Sequence, residues 1–524
     1  MFGNISNTLT GIASAATNDV LAANVIMIIF FVLLTLAATI VAVFLIGKYH
    51  ALTNDETTTV GRVKPIHVFF IILAVGVALR LLLTFVVKGY GPTYSTAYGI
   101  ANGVVGEDSG FSGFTSEYRS VAPLTAYLYT LFAGWGIAAG ATMDSIAMQF
   151  FVRLPFMLAD VALVCVIYYL ARKYSNRYVA LALCGMYFIN PLSFIVSSMW
   201  GSEMILLALA LVVLSAFVLS KNMFGICLTA AAACLVSSYA VFIVPVVGVY
   251  VVYTAVKSVV NIVKAKPSFD SVMRDQAYYN VFYAPLCLLL GFSVMYLVSL
   301  PAYFADGVVS FGSVMNQLFV QPFTVDSSAL SRFTENGLGI YTVITNNFES
   351  VGPQFKTLVF AVLFVVISAV FTVVFWLMKR NRSNLILISS FMAFTVAVYM
   401  MGSDEWSLLP ALVLMIPAFA ATKDKRIFKV FAPVSLFVVI NAMLSLFGGG
   451  MLSGTLVTDV TATNLKQLGG AYNAFSILLS VLTVLMHIYY AVVVLDIAVA
   501  RNRKEFITDR TAGFGECMRG WVRG

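Results

Sequence analysis

Apolar runs of about 20 residues recur along this chain from Asn24 to Ala500, with short polar segments between them. A helix of that length crosses the ~30 Å hydrocarbon core of a bilayer, where every backbone group must be hydrogen-bonded within the protein. Alternating strands of about ten residues, which are typical of membrane barrels, do not appear. The mean hydropathy of +0.95 and the hydrophobic content of 61% agree with this interpretation. We therefore predict an all-α polytopic membrane protein with about thirteen transmembrane helices.

Lysine and arginine residues concentrate in the loops between the apolar runs, and cytoplasmic loops are enriched in these residues. They place residues 48–64, 257–274, 379–382, 423–429 and the tail from residue 501 inside. The polar segments 88–121, 302–356, 402–407 and 448–474 are then outside. We predict an N-terminus outside, a C-terminus in the cytoplasm, and polar loops gathered on the outer side. The net charge of +8 reflects this topology, and no nucleic-acid partner is expected.

The middle of the chain contains one apolar segment too many for this topology. Between the outside residue Val121 and the inside loop 257–274 the number of crossings must be odd, yet six apolar segments are present. One of them therefore does not span the membrane in the ordinary way. The candidates for a broken or re-entrant element are the region of Asn190, Pro191 and Trp200, and the short pair of segments flanking Ser237 to Tyr239.

The first outer loop carries the acids Glu107, Asp108 and Glu117, followed by Arg119. Carboxylates beside a membrane surface can act as a general base, or as ligands that hold a divalent cation against a phosphate. The alternative is that they are ordinary solvated loop carboxylates. The sequence leaves both interpretations open.

Arg153 and Asp160 lie within an apolar span, seven residues apart, so they share nearly one face of a helix. An ionisable residue is costly in such a span and usually faces a cavity or a polar partner. The pair can therefore line one substrate cavity, or Asp160 can be a purely structural, hydrogen-bonded residue. Glu203 follows Trp200 and poses the same choice, with Trp200 as an interface anchor in the structural alternative.

Two further outer loops contribute polar residues. Arg332 and Asn336 lie in the long loop, where Arg332 could hold a lipid phosphate by forked hydrogen bonds or anchor at the headgroup level. Asp404 and Glu405 lie in the short loop, as further substrate-binding candidates or as acids that favour the start of the next helix.

Several short motifs occur in the order found in one family of membrane enzymes. They are Val121-Ala122-Pro123-Leu124, Arg153-Leu154-Pro155 with Ala159-Asp160, Asn190-Pro191 with Trp200-Gly201-Ser202-Glu203, Glu335-Asn336-Gly337, and Asp404-Glu405-Trp406 with Pro410-Ala411. Together they resemble the GT-C superfamily of membrane glycosyltransferases, in particular its bacterial mannosyltransferase-like branches, which use polyprenyl-phosphate-linked sugars. The resemblance spans residues 66–421.

The resemblance implies a GT-C-like bundle in the bacterial cytoplasmic membrane that moves one sugar from a polyprenyl-phosphate donor to a glycan or protein acceptor outside the cytoplasm. In this chain Glu107, Asp108 or Glu117 would be catalytic. The substrate-binding residues would be Arg119, Arg153, Asp160, Trp200, Glu203, Arg332, Asn336, Asp404 and Glu405. The sequence indicates no certain cofactor, although a divalent cation is an open alternative. Besides the substrates, the expected partners are membrane lipids, and a partner membrane subunit is a further alternative.

The sequence also departs from the family pattern. Residues 89–94, where the family has an early acid, contain no carboxylate, and Ser202 and Met204 replace a Gln and an Asp. A non-catalytic scaffold that binds lipid-linked glycan is therefore the alternative to an enzyme, and a transporter of such lipids is the third hypothesis. On this interpretation the chain divides into an extra N-terminal helix with its inside loop (1–65), the GT-C-like core (66–421), C-terminal helices (422–500) and a basic cytoplasmic tail (501–524).

Overall fold

The computed structural model describes residues 26, 28–50, 64–86, 91–105, 121–143, 145–304, 307–324, 332–345, 347, 349–377, 383–448, 470–506 and 513–523. These residues are almost entirely helical. The first half contains α1 (Ile28–Tyr49), α2 (Pro65–Val86), α3 (Gly91–Val105), α4 (Pro123–Ala138), α5 (Ile146–Tyr174), α6 (Arg177–Phe188), α7 (Pro191–Ile195) with a π-turn (Val196–Trp200), α8 (Met204–Ser220), α9 (Met223–Val236), a 3-10 turn (Ser238–Phe242) and α10 (Ile243–Ala265).

The second half continues with α11 (Phe269–Arg274), α12 (Gln276–Phe304), α13 (Phe311–Phe319), α14 (Gln321–Thr324), β1 (Thr334–Glu335), α15 (Ile340–Ile344), α16 (Pro353–Leu377), α17 (Ser383–Tyr399), β2 (Ser403–Asp404), α18 (Leu409–Thr422), α19 (Arg426–Gly448), α20 (Gly470–Leu495) with a π-turn (Asp496–Ala500), and α21 (Phe514–Arg523).

Within the described residues, eight helices are long and apolar enough to cross a membrane, and a ninth span results if one bent pair of helices is counted as a unit. Four shorter apolar helices, α8, α9, α17 and α18, accompany them. The prediction of an all-α, multi-pass membrane protein is thus confirmed. The count of about thirteen spans stays a prediction.

The bent pair lies at one of the two places where the sequence predicts a break. Helix α6 ends at Phe188, and the helix that begins at Pro191 is turned by 48° from it. The Asn190 side chain accepts a hydrogen bond from the Leu192 N–H (3.0 Å), and Pro191 occupies the first turn, where its missing N–H costs nothing. The second segment ends at Trp200 and is capped by Gly201 with φ +69°, and Ser202 and Glu203 lead into α8.

Helix α18 is the centre of the bundle, since nearly all of its side chains are buried. It joins two ends of contrasting composition. At one end lies the loop containing Asp404 and Glu405, which we call the acid end. At the other end, which we call the basic end, lie Lys423, Lys425, Arg426 and Lys429, and Arg426 pairs with Asp424 (2.8 Å) and Asp496 (2.6 Å).

Candidate functional site

Asp160 lies in the interior of the bundle and is completely buried. Its Oδ2 forms a salt bridge with the Arg80 guanidinium of helix α2 (2.5 Å) and accepts a hydrogen bond from the Ser197 hydroxyl (2.9 Å). Its Oδ1 accepts a hydrogen bond from the Tyr187 hydroxyl (2.6 Å). The Arg80 guanidinium also lies 3.7 Å from the centre of the Phe188 ring and donates to the Phe188 carbonyl (3.1 Å). Asp160 therefore ties α2, α5, α6 and α7 together, as in the structural alternative.

Arg153 lies on the same helix as Asp160 and is also completely buried. Its guanidinium donates to the Tyr94 hydroxyl of α3 and to the Thr84 carbonyl of α2 (3.1 Å). The two residues thus share a helix face, as their spacing predicts, but each contacts its own polar partners. Neither lines the apolar groove described below.

A parallel two-residue strand pairing builds the acid end. Thr334 pairs with Ser403, and Glu335 pairs with Asp404, so the long loop and the short loop meet. Glycine makes this approach feasible, because a Cβ at Gly337 would lie 2.5 Å from the Ser403 carbonyl oxygen. The segment Thr334 to Gly337 can therefore lie directly on the loop that carries Asp404 and Glu405.

Four carboxylates meet at this point, and we call Glu203, Glu335, Asp404 and Glu405 the acid cluster. Glu335 and Glu405 are both within electrostatic reach of Asp404, as is Glu203. Within the described residues only Glu335 of this cluster forms a salt bridge, with Arg332 at 3.3 Å. The cluster is therefore rich in negative charge.

Burial, followed by the neighbouring negative charge of Asp404, raises the pKa of Glu203 to about 8 and that of Glu405 to about 7. Burial also raises the pKa of Glu335 to about 7, although Arg332 acts in the opposite direction. The pKa of Asp404 is raised by burial and held back by hydrogen bonds from Ser407 and from the Trp406 N–H. Part of the cluster is thus protonated at neutral pH, so it can both accept and donate protons.

Two tryptophans lie beside the acid cluster. The ring centres of Trp200 and Trp406 are 5.5 Å apart in an edge-to-face arrangement. Trp406 is fully buried, and its indole N–H has no hydrogen-bond partner among the described residues. A buried donor without an acceptor is costly, so this N–H is an unsatisfied polar group beside the acid cluster.

An apolar groove lies beside the acid cluster and runs along the bundle between α8, α10, α16, α17 and α18; the four carboxylates themselves do not line it. It holds about 1090 Å³ of space between atoms, part of which is open to the surroundings. The lining includes Met204, Leu207, Leu211, Leu214, Tyr239, Phe371, Ala393, Ala397, Ser407 and Leu414. Because its residues on α8 run from Met204 to Val218, the groove is about 21 Å long.

Tyr239 and Ser407 connect the groove to the acid cluster. The Ser407 hydroxyl donates to Asp404 Oδ1 (2.6 Å), and the Tyr239 hydroxyl donates to the Gly402 carbonyl (2.6 Å) within electrostatic reach of Asp404, Glu335 and Glu203. Both side chains also line the groove. The acid cluster and the apolar groove are therefore adjacent, and these two side chains connect them.

The structure brings together Trp200, Glu203, Arg332, Asn336, Asp404 and Glu405 from the residues that the sequence predicts for the site. It places Arg153 and Asp160 among buried structural contacts. Glu107, Asp108, Glu117 and Arg119 lie outside the described residues. Sequence reasoning did not assign Glu335 or Tyr239 to the site. Glu335 belongs to the motif Glu335-Asn336-Gly337, but its place among the acids depends on the strand pairing, and that of Tyr239 depends on the groove.

No group of three or more His, Cys, Asp or Glu side chains close enough to hold a metal ion occurs in the part of the chain that the structure describes. The members of the acid cluster are therefore neighbours without forming a metal-binding set.

A comparison of the sequence with known protein families, and with characterised proteins, finds no match to either.

Proposed function

We propose that this protein transfers a sugar from a polyprenyl-phosphate-linked donor to an acceptor on the extracytoplasmic side of the membrane. The observation that supports this proposal best is the connection between the groove and the acid cluster through Tyr239 and Ser407. A molecule that fits both parts has a long apolar chain and a polar head. A lipid-linked sugar has this form.

The dimensions of the groove support a lipid tail as its occupant. Its residues on α8 recur at Met204, Leu207, Leu211, Leu214 and Val218, one face of the helix, so the tail would lie parallel to the helices. The length of about 21 Å is a large part of the ~30 Å hydrocarbon core. Apolar contacts along this length would hold the lipid, and the head would reach the acid cluster.

The acid cluster supports the chemistry of glycosyl transfer. An acceptor hydroxyl attacks the anomeric carbon of the donor, the bond from that carbon to the phosphate oxygen breaks, and polyprenyl phosphate leaves. A carboxylate with a pKa near neutral, such as Glu405, would take the proton of the acceptor hydroxyl. Arg332, whose side chain is 37% exposed, would contact the phosphate, and protonated members of the cluster would donate hydrogen bonds to its oxygens.

The topology follows from the same proposal. If α8, α9, α17 and α18 cross the membrane together with the nine longer spans, thirteen crossings result. The lysine and arginine pattern then orients the acid end outwards, with the C-terminus in the cytoplasm. Helix α4 does not cross the membrane in this arrangement. The number of crossings between residues 121 and 257 is then odd, as the lysine and arginine pattern requires.

A non-catalytic scaffold that binds lipid-linked glycan is the second candidate. One observation favours it: residues 89–94, where the resemblance implies an early acid, lead into α3 (Gly91–Val105), and neither stretch contains a carboxylate. Such a scaffold would use the groove and the acid cluster for binding alone.

Sugar transfer by the purified protein in nanodiscs separates the two candidates. Labelled sugar on polyprenyl phosphate is supplied as donor, and Glu203→Gln, Asp404→Asn and Glu405→Gln are compared with wild type. Loss of one essential base should lower the rate about 10²- to 10⁴-fold. Asp270→Asn, on an exposed helix, is the control. Glu107, Asp108 and Glu117, each changed to Ala, test the first loop in the same assay. Donor binding without turnover in wild type would contradict the enzyme and favour the scaffold.

A further inference from the structure

We infer that Asn336 is a positioning residue that fixes the Glu405 carboxylate, and that helix α19 supports it through Asn441. The inference rests on the proposed function for its catalytic meaning, because it assigns the proton-accepting role to Glu405. Helix α19 would then contribute to the site, although it lies beyond residue 421, where the family resemblance ends.

The side chain of Asn336 is held at both ends. Its Nδ2 donates to Glu405 Oε1 (3.0 Å), and its Oδ1 accepts a hydrogen bond from the Asn347 side-chain amide. Asn336 is 1% exposed, so these contacts are shielded from water. An ionised carboxylate only accepts, so the amide nitrogen of Asn336 must face Glu405. This pairing fixes the direction in which the carboxylate oxygen points.

The backbone of Asn336 is also held in place. Its φ of +60° lies in the left-handed region, which asparagine tolerates better than most residues other than glycine. Its N–H donates to Asn347 Oδ1 (2.8 Å), and its carbonyl accepts a hydrogen bond from Asn441 Nδ2 of α19 (2.5 Å). The Ser476 hydroxyl of α20 donates to Asn441 Oδ1 (3.2 Å). A chain of hydrogen bonds therefore runs from α20 through α19 to Glu405.

The charges around Glu405 explain why such support matters. Asp404 is adjacent in sequence, Glu335 lies on the paired strand, and Glu203 faces Asp404 from the start of α8. Arg332 is the cation nearest to this group among the described salt bridges, and it pairs with Glu335. Burial and the negative charge of Asp404 favour a neutral Glu405. Hydrogen bonds from the backbone, from Ser445 of α19 and from Asn336 all favour its ionised, proton-accepting form.

Asn336→Gly is the sharpest test, because glycine accepts a positive φ and only the amide is lost. Asn441→Ala removes the support from α19 and leaves the amide in place. Asn384→Ala is the matched control, since Asn384 is an equally buried asparagine, on α17, outside this network. Asn441→Ala also serves as the second variant in case Asn336→Gly does not fold.

Two readouts are needed. The first is the pH profile of sugar transfer, and the second is the protonated-carboxyl infrared band, titrated without any substrate. Loss of the Asn336 donor should move the acidic limb of the profile and the band midpoint to higher pH by about one unit. Asn441→Ala should move both in the same direction by less. In the Glu405→Gln background, where transfer is largely lost, Asn336→Gly should leave the infrared band unchanged.

An Asn336→Gly protein with the band midpoint and pH profile of wild type would overturn the positioning role, as would an equal shift in Asn384→Ala. The proposed function can fail separately. Suppose that wild type transfers no sugar, that the infrared band shifts in Asn336→Gly, and that it does not shift when Asn336→Gly is added to Glu405→Gln. Asn336 then fixes Glu405, and the enzyme proposal is wrong.

Discussion

Two groups of charged residues in this molecule use the same kinds of side chain in opposite ways. Around Asp160, one carboxylate meets one guanidinium and several hydroxyl donors, all of them buried. Around Asp404, four carboxylates meet and only Glu335 has a salt bridge among the described residues. Charge is balanced in the first group and in excess in the second.

The comparison shows how a buried charge can be classified by its partners. A paired and fully hydrogen-bonded carboxylate is a structural contact, whose removal leaves a cation without compensation. A carboxylate among other carboxylates keeps a raised pKa and responds to pH or to a ligand. The three predictions below test this difference between the Asp160 group and the acid cluster.

The largest effect is expected at Asp160. Asp160→Ala leaves the Arg80 guanidinium buried without its carboxylate, which should destabilise the protein by about 3–5 kcal/mol. The yield of folded protein in detergent and its apparent melting temperature measure this effect. The double variant Arg80→Met with Asp160→Leu should be more stable than Asp160→Ala. Asp160→Ala protein with the melting temperature of wild type would show that the pair is not structural.

A second prediction concerns the groove that lies beside the acid cluster. Ala393→Trp places a large ring in the groove and should reduce capture of a photoreactive polyprenyl phosphate about tenfold, because filling the space costs roughly 1–3 kcal/mol. Ala361→Trp, on an exposed face of α16, is the matched control. Equal capture by the two variants would mean that the lipid does not occupy the groove.

The smallest effect is expected from the titration of Glu203. Its pKa in the folded protein, about 8, lies above its ordinary value of 4.5, so ionisation disfavours the folded state. The stabilisation by its neutral form is complete below pH 4.5 and is lost as the pH rises towards 8. Glu203→Gln should therefore raise the apparent melting temperature at pH 8 by roughly 2–5 °C and have less effect at pH 5. A lower melting temperature in Glu203→Gln at pH 8 would contradict this account.

Local features of this fold follow from the sequence because they depend on near neighbours. Apolar length predicts the helices, and Asn190 with Pro191 predicts the bend between α6 and α7. The spacing of Arg153 and Asp160 predicts their shared helix face. The count of six apolar segments between residues 121 and 257 also predicts that one of them does not span the membrane in the ordinary way.

The partners of these residues could not be predicted in the same way, since they come from distant parts of the chain. Arg80 meets Asp160 across 80 residues, and Asn336 meets Glu405 across 69. Pairings of this kind depend on how the helices pack, which spacing along one helix does not determine. For this reason the sequence assigns six residues to the candidate site but not Glu335 or Tyr239. It also does not decide whether Asp160 lines a substrate cavity or is a structural residue.

A cryo-electron microscopy structure of the protein in nanodiscs with polyprenyl phosphate tests the central claim most directly. The account predicts tail density along the face of α8 that carries Leu207, Leu211 and Leu214, with the phosphate at Tyr239 and Arg332 beside the acid cluster. An empty groove with lipid elsewhere, or a phosphate bound at the basic end near Arg426, would contradict it.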